Sequence, residues 1–186
     1  MPYEEILLNA QEHMDKTIAR LKSDLSGIRT GRANPGLVDS LRVVVYGSAT
    51  PIKQIASVTT PEPRQILIRP YDAGTTRDIE KAIQSADLGL NPMSDGKLIR
   101  LSVPPLSTEV RKKMVSRVKE IGEEAKIALR NIRRDANKKA DTAQKDKKLS
   151  EDQRDELKAD IQEYLKKLEG SVDKHTKERE KEVLEN

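Results

Sequence analysis

Leu7, Met14, Leu21 and Ile28 recur at every seventh position near the start of the chain, with Ile18 and Leu25 interleaved. An apolar repeat of this period is the seam of an amphipathic helix that needs partner helices to bury it, so residues 3–29 are predicted to be helical. The pattern stops at Arg29-Thr30-Gly31-Arg32, and Asn34-Pro35-Gly36 follows as a turn cluster. The period then shortens. Leu41–Tyr46, Ile52–Thr60 and Gln65–Arg69 are short β-branched runs broken by Gly47, Pro51, Pro61 and Pro63, the signature of strands. A short helix is predicted over Arg77–Asp87, capped by Thr76 and stopped by Gly89, with Ile79, Ala82, Ile83 and Ala86 on one side. Lys97–Val103 returns to strand alternation before Pro104-Pro105.

Helical spacing resumes at Ser107 and continues to Asp146 without a proline and with one glycine, Gly122. Its apolar positions are Val110, Met114, Val118, Ile121, Ala125, Leu129, Ile132 and Ala136, and its length is roughly 60 Å at 1.5 Å per residue. A third helix is predicted from Ser150, where Gln153 three residues on completes a capping-box pattern. Its seam runs through Leu157, Ile161, Tyr164, Leu168, Val172, His175 and Val183. The first helix can be covered only by helices after residue 106. The fold class is therefore α+β with two domains: residues 1–30 plus 106–186 form an elongated antiparallel three-helix bundle, up-down-up, and residues 31–105 form an inserted small β-rich (α/β) domain. Two short strands of chain join them, Thr30-Gly31-Arg32 and Pro104-Pro105-Leu106, and together these make a candidate hinge.

Composition sharpens this. Charged residues make up 35% of the 186, as do hydrophobic ones, and Phe, Trp and Cys are absent. That balance suits long helices with narrow seams, and a chain without cysteine has neither disulfides nor thiolate metal sites. No secretory leader or bilayer-long apolar run is seen, so a cytoplasmic protein is expected. The net charge of +4 is unevenly distributed: residues 107–149 hold 14 Lys and Arg against 7 Asp and Glu, whereas residues 150–186 hold 8 against 12. The second long helix is thus a basic surface that would draw an anionic partner.

The basic excess concentrates in A-L-R-N-I-R-R-D-A-N, Ala128–Asn137. At 100° per residue, Lys126, Arg130, Arg133, Arg134 and Asn137 fall together, away from the Ile121–Ala125–Leu129–Ile132 stripe. Arginine forks match phosphate oxygens, which makes this a candidate reader of a phosphate backbone. The plainer alternative is a solvated face neutralised by pairs such as Arg130 with Asp135.

No arrangement for catalysis is found. Gly31-Arg32-Ala33-Asn34-Pro35-Gly36 has the glycine spacing of a phosphate loop, but Leu37-Val38 stand where Lys and Ser or Thr are needed. His13 and His175 have no ligand spacing, and adjacent acids such as Glu123-Glu124 and Asp155-Glu156 diverge around a helix. The four tyrosines are scattered and give no stacking platform. The chain is expected to be neither an enzyme nor a holder of a cofactor or metal.

Four separated stretches carry a resemblance: I-R-T-G-R-A at 28–33, D-L-G-L-N-P at 87–92, I-R-L-S-V-P-P-L at 99–106 and R-N-I-R-R-D-A-N at 130–137. Together they resemble the bacterial and organellar ribosome recycling factors, from end to end and without an evident insertion. The resemblance implies an L-shaped, tRNA-sized molecule in which a three-helix bundle carries a β-rich domain on a flexible two-strand hinge. It also implies a translation factor that occupies the large ribosomal subunit near the A and P sites after peptide release. Working as a monomer with elongation factor G, whose GTP hydrolysis supplies the drive, such a factor splits the subunits. By matching motif positions, Arg111, Arg130 and Arg133 are implied as ribosomal-RNA contacts, with Arg134 added by proximity. One departure stands at Thr108-Glu109-Val110-Arg111, where an apolar residue occupies a position that can be basic. The competing reading is a helical RNA-binding scaffold or coiled-coil adaptor without a recycling role.

Overall fold

The computed structural model describes residues 2–185. Its first helix, α1 (Pro2–Ser26), buries Ala10, Met14, Ile18, Leu21 and Leu25. Met14, Ile18, Leu21 and Leu25 are expected seam positions, and the small Ala10 joins them. Leu7 is only half-buried, and Ile28, though buried, lies beyond the helix, which ends at Ser26 and not at residue 29. Two further long helices, α4 (Thr108–Lys145) and α5 (Glu151–Glu185), complete a three-helix bundle. Ser107 caps α4, its hydroxyl accepting from Val110 N at 3.3 Å. At the head of α5 the capping box forms in both directions: Ser150 N donates to Gln153 Oε1 at 3.0 Å, and Gln153 N donates to Ser150 Oγ at 3.1 Å. The tight turn between α4 and α5 places Lys147 at φ 58 and makes the two helices antiparallel.

The seam of α5 is wider than the sequence pattern indicates. Leu157, Ile161, Leu168, Val172 and Val183 are buried as expected, but so are Leu165 and Thr176. Tyr164 and His175 are half-buried at its edges. Two tyrosine–carboxylate bonds tie α1 to α5: Tyr3 Oη donates to Asp160 Oδ2 at 2.7 Å, and Tyr164 Oη donates to Asp15 Oδ1 at 2.6 Å.

Between α1 and α4 the chain forms two antiparallel sheets. The strands β1 (Arg42–Val45) and β2 (Ser48–Pro51) make a hairpin whose two-residue turn, Tyr46-Gly47, has φ 51 and 78. Positive φ at both turn residues suits the twist of a tight hairpin. The second sheet has the order β3-β4-β6-β5, from β3 (Ala56–Glu62), β4 (Gln65–Pro70), β5 (Asn91–Ser94) and β6 (Ile99–Ser102). The helix α3 (Thr76–Ser85) packs Ile79 and Ile83 into a core with Val38, Val43, Ile52, Ile66, Ile68, Ile99 and Leu101.

Several local expectations are corrected. Ile52–Thr60 is not one strand: its first four residues turn helically as α2 (Ile52–Ile55), which sends Ile52 into the core and lets Ala56 N close on Ile52 O. Thr76 is the first residue of α3 rather than its cap, and its hydroxyl donates to Ala73 O. The chain leaves α3 through a left-handed Asp87 (φ 48), two residues before Gly89. β2 and β5 have no apolar alternation by which a strand is recognised, since β2 reads S-A-T-P and β5 reads N-P-M-S.

By Cα proximity the chain divides into two compact units: the first runs to Leu25 and adds Ser116–Glu180, and the second is Ser26–Val115 with the residues from Lys181 on. The proposed hinge segments Thr30–Arg32 and Pro104–Leu106 both lie inside the second unit. Within them, Gly31 has φ 79, Thr30 and Leu106 are buried, and Pro104 and Pro105 are exposed.

Candidate nucleic-acid interface

The basic stretch of α4 lies along its boundary with α5, and this revises the picture drawn from helical rotation alone. Lys126, Arg133 and Asn137 are half-buried at the flank that meets α5, whereas Arg130 and Arg134 are exposed. A three-helix bundle covers a broad arc of each helix, so residues outside the apolar stripe still reach a neighbour.

Among the described residues, four bonds between side chains cross from α4 to α5 in antiparallel order. Lys126 Nζ donates to Asp173 Oδ1 at 2.7 Å. Arg130 Nε donates to Glu169 Oε1 at 2.9 Å. Arg133 Nη1 donates to Gln162 Oε1 at 2.7 Å. Finally, Lys158 Nζ donates to Asp141 Oδ1 at 2.6 Å, which reverses the polarity. Arg130 is therefore balanced by a carboxylate of the next helix, Glu169, rather than by Asp135.

The electrostatics follow this order. The bond to Asp173 raises the pKa of Lys126 against the opposing effect of burial, and the bond from Lys158 lowers that of Asp141. Three of the four crossings thus pair opposite charges. At Arg133 the partner is a neutral amide, so the guanidinium keeps an unbalanced positive charge. The adjacent Arg134 is exposed and makes no hydrogen bond or ion pair among the described residues. The cations of this row without a carboxylate partner among the described residues are therefore Arg133 and Arg134, with Arg130 balanced by Glu169 about one turn earlier.

The chemistry available here is phosphate binding. A guanidinium has five N–H donors, and one bond to α5 leaves the remainder for an anion. Side chains anchored at one end also lose less freedom when they bind. Arg130, Arg133 and Arg134 are brought together within about one helical turn. Arg111 is not part of this row. It lies near the start of α4, half-buried, with Nη1 donating to the carbonyl of Leu184 at 3.1 Å in the last turn of α5. The α5 partners Gln162, Glu169 and Asp173 were missed from sequence, where the acidic excess of residues 150–186 was their one trace.

Among the described residues no group of three or more His, Asp or Glu side chains is arranged to hold a metal ion, and no helix is long and apolar enough to cross a membrane. His13 lies in α1 with Nδ1 at 2.7 Å from Asn9 O, a contact within its own helix.

Comparison with known proteins is consistent across the chain. The family described as ribosome recycling factor matches residues 21–184. A ribosome-recycling factor of Rhodopirellula baltica is 70% identical over 140 residues, 75% of this chain and 75% of that protein. One from Clostridium novyi is 46% identical over 180 residues, 97% of each, and one from Nitratidesulfovibrio vulgaris is 45% identical over 185 residues, 100% of each. A solution structure of the ribosome recycling factor superposes with TM-score 0.77 at 34% identity, covering 100% of this chain and 99% of that one. A second, at TM-score 0.69 and 39% identity, covers 99% of this chain and 100% of the other. It is described as the T. thermophilus ribosome recycling factor and the E. coli elongation factor G bound to the E. coli post-termination complex.

Proposed function

Because the chain belongs to the ribosome recycling factor family, we propose that the α4 arginines Arg130, Arg133 and Arg134 are its contact with the ribosomal RNA of the large subunit. The protein binds the ribosome after termination and, together with elongation factor G, returns the subunits for a new round of initiation. It works in the cytoplasm, where those ribosomes are. It is a non-enzymatic factor, and the GTP hydrolysis that accompanies splitting belongs to elongation factor G.

The observation that carries the arginine assignment is the Arg133–Gln162 crossing, the one of these four side-chain pairs in which the cation faces no carboxylate. Phosphate contacts of this kind fix register on RNA without reading sequence, which suits a factor that must dock in one place on every ribosome. Arg111 contributes a second basic position while bonded to the end of α5. The hinge at Thr30, Gly31, Arg32, Pro104, Pro105 and Leu106 lets a stiff bundle transmit movement imposed on the protein by its partner.

The test is a subunit-splitting assay with post-termination ribosomes, elongation factor G and GTP, run beside a competition between large subunits and generic duplex RNA. Splitting that requires all three components, with binding that prefers large subunits over generic RNA, supports the reading. Equal binding to any RNA and no splitting would leave a helical RNA-binding scaffold instead.

A further inference from the structure

Gln162 and Glu169 stand on α5 opposite Arg133 and Arg130. We propose that these two side chains are positioning residues for the RNA contact: each takes one N–H of the arginine facing it and presents the remaining donors to phosphate. The inference rests on the interface assigned above and adds residues outside the basic helix to it.

The geometry differs usefully between the two. Arg130 spends Nε on Glu169, which leaves both terminal nitrogens as an end-on fork. Arg133 spends Nη1 on Gln162, which leaves the Nε and Nη2 edge as a side-on fork. Either edge can grip two phosphate oxygens, so the pair offers differently directed bidentate grips about one turn apart. A long arginine free in solvent must give up several rotatable bonds on binding. One already held at 2.7–2.9 Å has given up most of them in the free protein.

The two buttresses also differ in charge. Glu169 is the more covered, its side chain 26% exposed against 49% for Arg130, and it offsets that cation. Gln162 supplies an acceptor with no charge, so Arg133 is held without being neutralised. Removal of Gln162 therefore isolates positioning from electrostatics.

The experiment measures affinity of the full chain for isolated large subunits across a salt series, with melting followed in parallel. Gln162→Ala is expected to weaken binding roughly three- to tenfold, the order of the cost of ordering one long side chain. Its salt slope and melting temperature should stay at wild-type values, because no cation and no core contact is lost. Combined with Arg133→Ala it should add no further loss, since the residue it positions is gone. Glu169→Gln, which keeps the acceptor, should bind at least as tightly as wild type, while Glu169→Ala should bind more weakly than Glu169→Gln.

Wild-type affinity for Gln162→Ala alongside a weakened Arg133→Ala would overturn the positioning role and leave the interface standing. A Gln162→Ala loss that persists undiminished in the Arg133→Ala background would also overturn it. If Arg133→Ala itself binds like wild type, the interface reading fails and the positioning role falls with it.

Discussion

Gly122 of α4 and Thr176 of α5 meet where the two helices pass so closely that a Cβ on the glycine would lie 2.7 Å from Thr176 Cγ2. The threonine cannot yield cheaply. It is buried, and its hydroxyl donates at 3.0 Å to the carbonyls of Val172 and Asp173, which fixes its rotamer. A glycine in a helix interior ordinarily costs about 1 kcal/mol relative to alanine. Here relief of that cost is outweighed by overpacking, which costs about 1–3 kcal/mol. Gly122→Ala is expected to lower the melting temperature. In a Thr176→Ser background, which removes Cγ2, the same change should become neutral or stabilising. Thermal melts of the four proteins check this, and a higher melting temperature for the single Gly122→Ala variant would refute the close packing.

The bonds from Tyr3 to Asp160 and from Tyr164 to Asp15 give α1 and α5 a pH-dependent attachment. Each phenol is pushed up to about 12, first by the hydrogen bond to its carboxylate and then by desolvation. The folded protein therefore holds these protons more tightly than the unfolded chain, whose tyrosines titrate near the usual value of about 10. The sign follows: the stabilisation is complete below pH about 10 and is lost as pH rises toward about 12. Melting temperature should fall across that window, and the fall should be shallower in the Tyr3→Phe, Tyr164→Phe double variant. Identical pH profiles for the two proteins would show that these bonds do not form in solution.

Much of this fold can be read in the chain because its devices are local. The heptads of α1, the proline-free run of α4 and the Ser150–Gln153 box each specify their own helix. The regions that could not be read depend on a partner. β2 and β5 become strands because β1 and β6 offer them backbone bonds, and their own side chains show no alternation. Leu165 and Thr176 are buried because a central bundle face is wider than a two-position seam. For the basic site, the arginines were legible as a cluster on α4. Their exposure was not, because the register that brings Glu169 to Arg130 and Gln162 to Arg133 is set by the turn at Asp146–Leu149.

The proposed hinge rests on one unusual backbone conformation. Gly31 sits at φ 79, in the left-handed region that a β-branched side chain strongly disfavours. Gly31→Val should cost roughly 1–2 kcal/mol of local strain or displace this segment from its present path. Subunit splitting should then suffer more than large-subunit binding. Paired spin or fluorescent labels on α5 and on β6 would report the consequence as a change in distance distribution. One narrow distance, the same in wild type free and ribosome-bound, would contradict a working hinge.

The most direct measurement is the salt-dependent affinity of Arg133→Ala for large subunits. Arg133 is half-buried at the edge of the bundle and bonds to the exposed Gln162, so its truncation opens no core cavity. Stability should change by about 0.5 kcal/mol or less. A charge-assisted phosphate contact contributes about 1.5–3 kcal/mol, so binding should weaken about tenfold or more. The slope of log K against log salt should decrease in magnitude by about one unit, and Arg133→Lys should restore charge but only part of the affinity. Unchanged affinity at every salt concentration, with helix content and melting intact, would contradict an RNA contact at Arg133 and reduce the basic row of α4 to a helix-pairing surface.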